Sequence, residues 1–182
     1  MALRTLCVFC ASAYGAQPAY REAAAELGTL LAQRGIGLVY GGATSGLMGA
    51  VADAALAGGG HVIGVIPHVL VDKEVSHHGC TELHVVDTMH TRKALMGERA
   101  DAFLILPGGY GTLEELFEVL AWQTLRLHNK PICLLNTLGF YDSMLRFLDH
   151  CQAEGVLRPG TRELLHVADT VEEAMALLES RS

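Results

Sequence analysis

Apolar positions along the chain fall into short solid runs, separated by longer segments in which they recur every three or four residues. The runs "LRTLCVFCA", "IGLVY", "HVIGVIP", "LHVVD", "DAFLIL", "PICLLN" and "ELLHVAD" lack the polar alternation of a half-exposed strand, so they predict strands covered on both faces. The segment from Pro18 predicts a helix with Tyr20, Ala24, Leu27, Leu30 and Leu31 as its apolar stripe and Gly35 as its stop. Further helices are predicted over "LMGAVADAALAGGG", whose small residues suit close approach to the sheet, and over "TMHTRKALMGERA", with Thr88 as cap. Residues 112–127, Phe140–Glu154 and "VEEAMALLES" complete the set, and the polar stretch from about Asp72 to Thr81 predicts a loop. Strands and helices alternate without a repeat or linker. The pattern predicts a single α/β domain over residues 1–182, with a mostly parallel sheet and helices on both faces.

Ligands of such sheets bind beyond the carboxyl ends of the strands, which directs attention to the strand-to-helix turns. Two of these are glycine-rich. "YGGATSGLMG" carries Gly41, Gly42 and Gly46 with the hydroxyls of Thr44 and Ser45, and "PGGYGT" carries Gly108, Gly109 and Gly111 with Tyr110 between them and Thr112 as helix cap. Exposed backbone N–H groups at a helix N-terminus suit a phosphate. Neither turn is a dinucleotide fingerprint, because Glu114 stands where a third glycine belongs, and no GK[ST] marks a P-loop.

Glu114 and Glu115 follow the second turn. Thr112 and Glu115 have the T-x-x-E spacing of a capping box; the same Glu115 also suits a carboxylate that faces a positive centre developing on a ligand held by its phosphate. Arg92 falls on the apolar stripe Met89, Arg92, Met96, Ala100 of its helix, where a guanidinium needs an acceptor. That acceptor is either an anionic ligand or a structural Asp or Glu. Lys93 beside it points to the turn edge or to solvent.

With 51% hydrophobic and 18% charged residues the chain is not disordered, and its formal charge of −7 with no basic cluster argues against a nucleic-acid polymer and for a small ligand. The modest charge also hints at apolar surface hidden between subunits. Five cysteines, an odd number, and a "CVFC" pair whose thiols face opposite sides of a strand predict reduced core cysteines in a cytoplasmic protein. Arg4, an apolar run and "ASA" imitate a signal peptide, yet cleavage there would remove the first strand. No run approaches the ~20 apolar residues of a membrane span. His77 and His78 lie in the polar loop without a metal-ligand pattern, so no metal site is expected. There is no GxSxG motif, and the three lysines Lys73, Lys93 and Lys130 in so short a chain argue against a pyridoxal enzyme.

Taken together, "GGATSGLMG", "MHTRKALM" and "PGGYGTLEE" resemble the LOG (LONELY GUY) family, cytokinin riboside 5′-monophosphate phosphoribohydrolases often mislabelled as lysine decarboxylases. The likeness runs from about "VFCASAYG" to "KPICLLNTLGFYDSML" and includes an R-K pair on a helix followed by P-G-G-x-G-T-x-x-E, with Glu115 placed 23 positions after Arg92. The resemblance implies a Rossmann-like fold, a homodimer, no metal or redox cofactor, and hydrolysis of a purine nucleoside 5′-monophosphate to free base and ribose 5-phosphate. It makes Arg92 and Glu115 the catalytic pair. It makes Ser12, Glu74, Lys93 and the turn Gly108, Gly109, Tyr110, Gly111 and Thr112 substrate contacts. Plant members carry threonine where this chain has Ala121. The alternative to an enzyme is a non-catalytic carrier of nucleotides or of a pterin cofactor, since related sheets with glycine-rich turns serve delivery as well as hydrolysis.

Overall fold

A computed structural model of the protein describes residues 3–74 and 76–181, excluding the side chains of residues 72–74. Seven strands form one sheet: β1 (Thr5–Phe9), β2 (Gly37–Tyr40), β3 (Val62–Pro67), β4 (Glu82–Val86), β5 (Ala102–Ile105), β6 (Ile132–Leu135) and β7 (Leu165–Ala168). Their order is β4-β3-β2-β1-β5-β6-β7 and every pairing is parallel. The chain winds outward from β1 to β4, then returns to β5 on the other side of β1. The carboxyl ends of β1 and β5 therefore flank the point where the strand order reverses.

Side-chain alternation divides the core into two layers. Leu6, Val8, Leu38, Tyr40 and Leu104 face α1 (Pro18–Arg34), α2 (Gly46–Ala57) and α7 (Val171–Glu179). Cys7, Phe9, Val39, Phe103 and Ile105 face α4 (Met89–Arg99), α5 (Tyr110–Thr124) and α6 (Asp142–Ala153). Cys7 and Cys10 sit in different layers, as period-two geometry requires, and all five cysteines are free. Both layers of side chains are buried in β1, β2, β3, β5 and β6, which is why these strands read as solid apolar runs. The edge strand β4, expected to be covered on both faces, is only half-buried with Val85 exposed, and β7 is half-buried at its centre.

The helices begin and end close to their sequence signals, with four informative departures. The α1 helix runs from Pro18 to the left-handed Gly35, and Thr88 caps α4 by accepting the Thr91 N–H at 3.0 Å. The α5 helix, expected over 112–127, starts at Tyr110 with Gly109 as its N-cap and stops at Thr124, where Arg126 turns left-handed at φ 61°. Thr112 is thus the third residue of the helix rather than its cap. The segment Phe140–Glu154 becomes helical only at Asp142, because a short 3-10 turn over Thr137–Gly139 precedes it. The polar stretch near Asp72 is partly helical: α3 (His68–Glu74) leaves β3 directly. Finally, Met89 is exposed, so the buried residues of α4 are Arg92, Lys93 and Met96, with Ala100 buried just past its end. No helix among the described residues is long and apolar enough to cross a membrane.

Candidate active site

The strand order places one cavity of about 320 Å³ at the reversal point, lined by the end of β1 and the turn after it (Val8 to Ala13), by Gly41, and by Gly109 to Thr112 with Glu115. Arg92, Met48 and Met96 close the remaining wall. Ser12, Arg92, Glu115 and the turn Gly109, Tyr110, Gly111 and Thr112, which come from segments far apart in sequence, are brought to this one space.

Arg92 is 5% exposed, and its guanidinium is held by backbone oxygens. Nε donates to the Val65 carbonyl at 3.0 Å and Nη2 to the Gly41 carbonyl at 2.9 Å, with Nη1 3.8 Å from the Met89 sulfur. Of the two acceptors expected, an anionic ligand or a structural Asp or Glu, the second is replaced by two main-chain carbonyls. They satisfy direction without neutralising charge, so the cation stays available to an anionic or electron-rich ligand, and the guanidinium has further N–H donors to offer. The residue at 41 has to be glycine for this. A Cβ there would lie 2.1 Å from Arg92 Nη2 and 2.7 Å from the Met48 sulfur.

Glu115 occupies the sixth position of α5, in its second turn. A capping box needs its glutamate at the third helical position, which Thr112 fills, so that role for Glu115 is not available. The two site charges act on common neighbours. Burial pushes the Cys10 thiol well above its usual range, the Glu115 carboxylate pushes it further, and the Arg92 cation opposes them. The same opposed influences reach Cys7. Cys10 is therefore a neutral thiol in the cavity wall and not a nucleophile.

The two glycine-rich turns are not equivalent. At α2 the leading N–H groups are occupied: Leu47 and Met48 donate to the Ala11 carbonyl at 3.0 and 3.4 Å. That stretch braces the loop after β1 and contributes Gly41 and Met48 to the cavity wall. At α5 the N-cap is glycine with no capping side chain, and the N–H groups of Tyr110, Gly111 and Thr112 have no intrahelical acceptor. These donors and the positive end of a 15-residue helix open onto the cavity. Gly108 lies behind the turn, outside the cavity wall, and a Cβ there would strike Thr112 Oγ1 at 2.1 Å. Tyr110 stands at the lip, 95% exposed.

One expected contact lies elsewhere. Lys93 points neither to the turn edge nor to solvent: it is buried and its ammonium donates to Glu114 and, at 3.0 Å, to Glu118. Burial works against its charge, but the two carboxylates outweigh it and the lysine pKa is raised. Glu114 is thereby explained as the partner of Lys93 across α4 and α5. The Glu74 side chain lies outside the described residues.

His77, expected in a solvated loop, is buried. Its Nε2 meets Asp53 Oδ1 at 2.9 Å, its Nδ1 accepts the Gly79 N–H, and its own N–H donates to the Gly42 carbonyl at 2.8 Å. The loop is thus tied to the turn that holds Arg92. Nothing in the local sequence marks this, because Asp53 comes from the middle of α2. Ala121 lines a separate apolar groove and not the cavity.

Comparison with known proteins shows the family. A family model described as "Possible lysine decarboxylase" matches residues 48–178. Cytokinin riboside 5′-monophosphate phosphoribohydrolases of Oryza sativa subsp. japonica and Arabidopsis thaliana are 50% and 48% identical to the chain, each over 176 residues. The matches cover 97% of this chain in both cases, and 73% and 82% of the relatives. Among solved structures, the Moco carrier protein of Chlamydomonas reinhardtii superposes with a TM-score of 0.74 at 23% identity, covering 97% of this chain and 96% of that one. A likeness at that identity is one of fold. About half of all residues shared with the plant enzymes along nearly the whole chain decide the matter: the chain belongs to the LOG family of cytokinin riboside 5′-monophosphate phosphoribohydrolases.

Proposed function

We propose that the protein hydrolyses the N-glycosidic bond of purine nucleoside 5′-monophosphates of the adenine or cytokinin type, releasing free base and ribose 5-phosphate. The observation that carries this reading is the meeting of a carboxylate, a carbonyl-held guanidinium and an uncapped helix N-terminus around one cavity at the strand-order reversal.

The phosphate binds to the N–H groups at the start of α5, and this binding energy positions the sugar. As the bond from C1′ to the base nitrogen breaks, positive charge develops on C1′ and the ring oxygen. The Glu115 carboxylate stabilises that charge and takes the proton of the water whose oxygen bonds to C1′. The electron pair of the broken bond leaves with the base, which takes a proton at a ring nitrogen from solvent, and Glu115 returns the proton of the attacking water to solvent. Arg92 is a fixed donor to the ligand, on the ribose, the phosphate or the departing base. No residue is left bonded to the sugar, and the chemistry uses groups of the chain and water alone.

The active form is a homodimer in this reading. An apolar groove of about 450 Å³, lined by Phe117, Leu120, Ala121, Leu125, Leu148 and Val156, supports it, as do the high exposures of Leu125 and Val156. Five free thiols support a reducing, cytoplasmic location. The charge of −7 supports a small-molecule partner over a nucleic acid.

Incubation with AMP and with isopentenyladenosine monophosphate, followed by chromatography for free base, tests the function. Base from the prenylated nucleotide places the chain with its plant relatives in activity, and base from AMP alone leaves a general purine nucleotide hydrolase. Base from neither overturns the enzyme reading in favour of a carrier. Light scattering of the purified protein checks the dimer.

A further inference from the structure

The turn that presents the α5 N–H groups is itself held from behind. Between β5 and α5, the Leu106 N–H donates to the Phe9 carbonyl at 3.0 Å and the Pro107 carbonyl accepts the Ala11 N–H at 3.1 Å. The Leu106 carbonyl meets one side chain. The Tyr141 hydroxyl donates to it at 2.7 Å, and the Gly108 backbone acts on that hydroxyl, drawing its pKa down against burial. The polar groups of Leu106 and the Pro107 carbonyl are thus engaged, while Gly109 to Thr112 line the cavity.

Tyr141 is well placed for such a role. It is 3% exposed and stands at the N-cap of α6, with its ring set edge-on to Phe140 at 4.7 Å. Its backbone N–H donates to Asn136 Oδ1 at 2.8 Å, and Asn136 in turn donates to Asp142 and, through its own N–H, to the Ala168 carbonyl. The hydroxyl therefore sits on a network anchored to β6 and β7. Burial pushes its pKa well up, so it stays protonated and able to donate at any working pH. A buried hydroxyl that holds the carbonyl just before Pro107 and Gly108 fixes the start of the turn, and through it the aim of the next N–H groups.

We propose that Tyr141 is a positioning residue for the phosphate-binding turn, and that its hydroxyl sets the direction of the Gly109–Thr112 N–H groups without touching the ligand. The inference rests on the reading of that turn as a phosphate site, and its effect is confined to ligands that carry a phosphate.

The test uses Tyr141→Phe, which keeps the ring and removes the hydroxyl with its hydrogen bond to the Leu106 carbonyl. In the ligand-free protein, the amide signals of residues 108–112 should shift relative to the native chain, since the carbonyl that anchors the turn is released. KM for AMP and the inhibition constant of ribose 5-phosphate should each rise about tenfold, while kcat changes less than about threefold. Weak inhibition by ribose, which has no phosphate, should not change. Unchanged KM for AMP in the variant overturns the proposal, and so does equal weakening of ribose and ribose 5-phosphate, which would mark a merely structural tyrosine. If the native protein releases no base from any nucleotide, the hydrolase reading fails by itself. Titration with inorganic phosphate, followed by the amide signals of residues 109–112, then decides the positioning role: about tenfold weaker binding in the variant supports it, and no response in the native chain or no difference between the two overturns it.

Discussion

Arg92 and Gly41 fit together as a bolt and its seat: Nη2 of the arginine donates to the glycine carbonyl at 2.9 Å, and a methyl group on that glycine would lie 2.1 Å from the same nitrogen. Gly41→Ala should therefore displace the guanidinium while leaving the sheet intact. The expected result is a loss of about 100-fold or more in kcat/KM for the nucleotide, since small misplacements of a site group have effects of that size. Steady-state kinetics beside a thermal melt checks it. A variant with native kinetics would mean that Arg92 has slack the geometry does not show.

Glu115 is the residue assigned to the developing positive charge and to the attacking water. Glu115→Gln keeps its size and hydrogen-bonding capacity but removes the charge and the basicity. Turnover should fall by about 10² to 10⁴, as for the loss of a general base. Nucleotide affinity by calorimetry should stay within a few-fold of native. Full activity in this variant would leave the carboxylate without a catalytic role.

Arg126 ends α5 in the left-handed region at φ 61°, with its N–H bonded to the Gln123 carbonyl and the Leu127 N–H bonded to the Trp122 carbonyl. A side chain in that conformation costs about 1 kcal/mol relative to glycine, partly offset by the greater freedom of glycine when unfolded. Arg126→Gly should stabilise the protein by about 0.5–1 kcal/mol in urea denaturation, and a β-branched residue such as valine should destabilise it by at least as much.

His128 is bonded as a neutral ring: Nε2 donates to the Val119 carbonyl at 3.0 Å and Nδ1 accepts the Lys130 N–H at 3.2 Å. A second proton on Nδ1 would break the latter bond. Burial lowers its pKa below the ordinary 6.5, the Val119 carbonyl opposes that, and nearby Lys130 adds to it. Burial and Arg181 lower His166 likewise. With folded values below unfolded ones, the unfolded chain takes up protons first. The stability from these rings is complete above about 6.5 and is lost as the pH falls through the folded values. Melting temperature should therefore decline on acidification below about 6.5, and less steeply in His128→Gln, measured by scanning between about pH 7.5 and 5.

The sheet was legible in the sequence because both of its faces are buried, so that strands such as β5 and β6 are unbroken apolar runs. The position of the site was legible for a related reason, since glycine-rich turns at strand ends are rare and local. What stayed hidden depends on contacts between distant segments. The spacing Thr112–x–x–Glu115 fits a capping box, but the helix begins two residues earlier because Gly109 can serve as its cap without a side chain. The acceptors of Arg92 are main-chain carbonyls of residues 41 and 65, which no residue type announces. Lys93 was placed by its neighbour in sequence, whereas its partners Glu114 and Glu118 come from α5. The Asp53–His77 contact joins residues 24 positions apart.

The carbonyl of Ala11, seated on the first N–H groups of α2, also limits what the cavity can count. Two helix N-termini converge on this edge of the sheet, and if both were open the pair would suit a pyrophosphate or a dinucleotide. One of them is stoppered by the protein's own backbone. In the proposed reading a single phosphate meets the open donors of α5, while the Leu47 and Met48 N–H groups of α2 are already taken. What would set the site to one phosphate is then a main-chain oxygen that no side-chain substitution can remove.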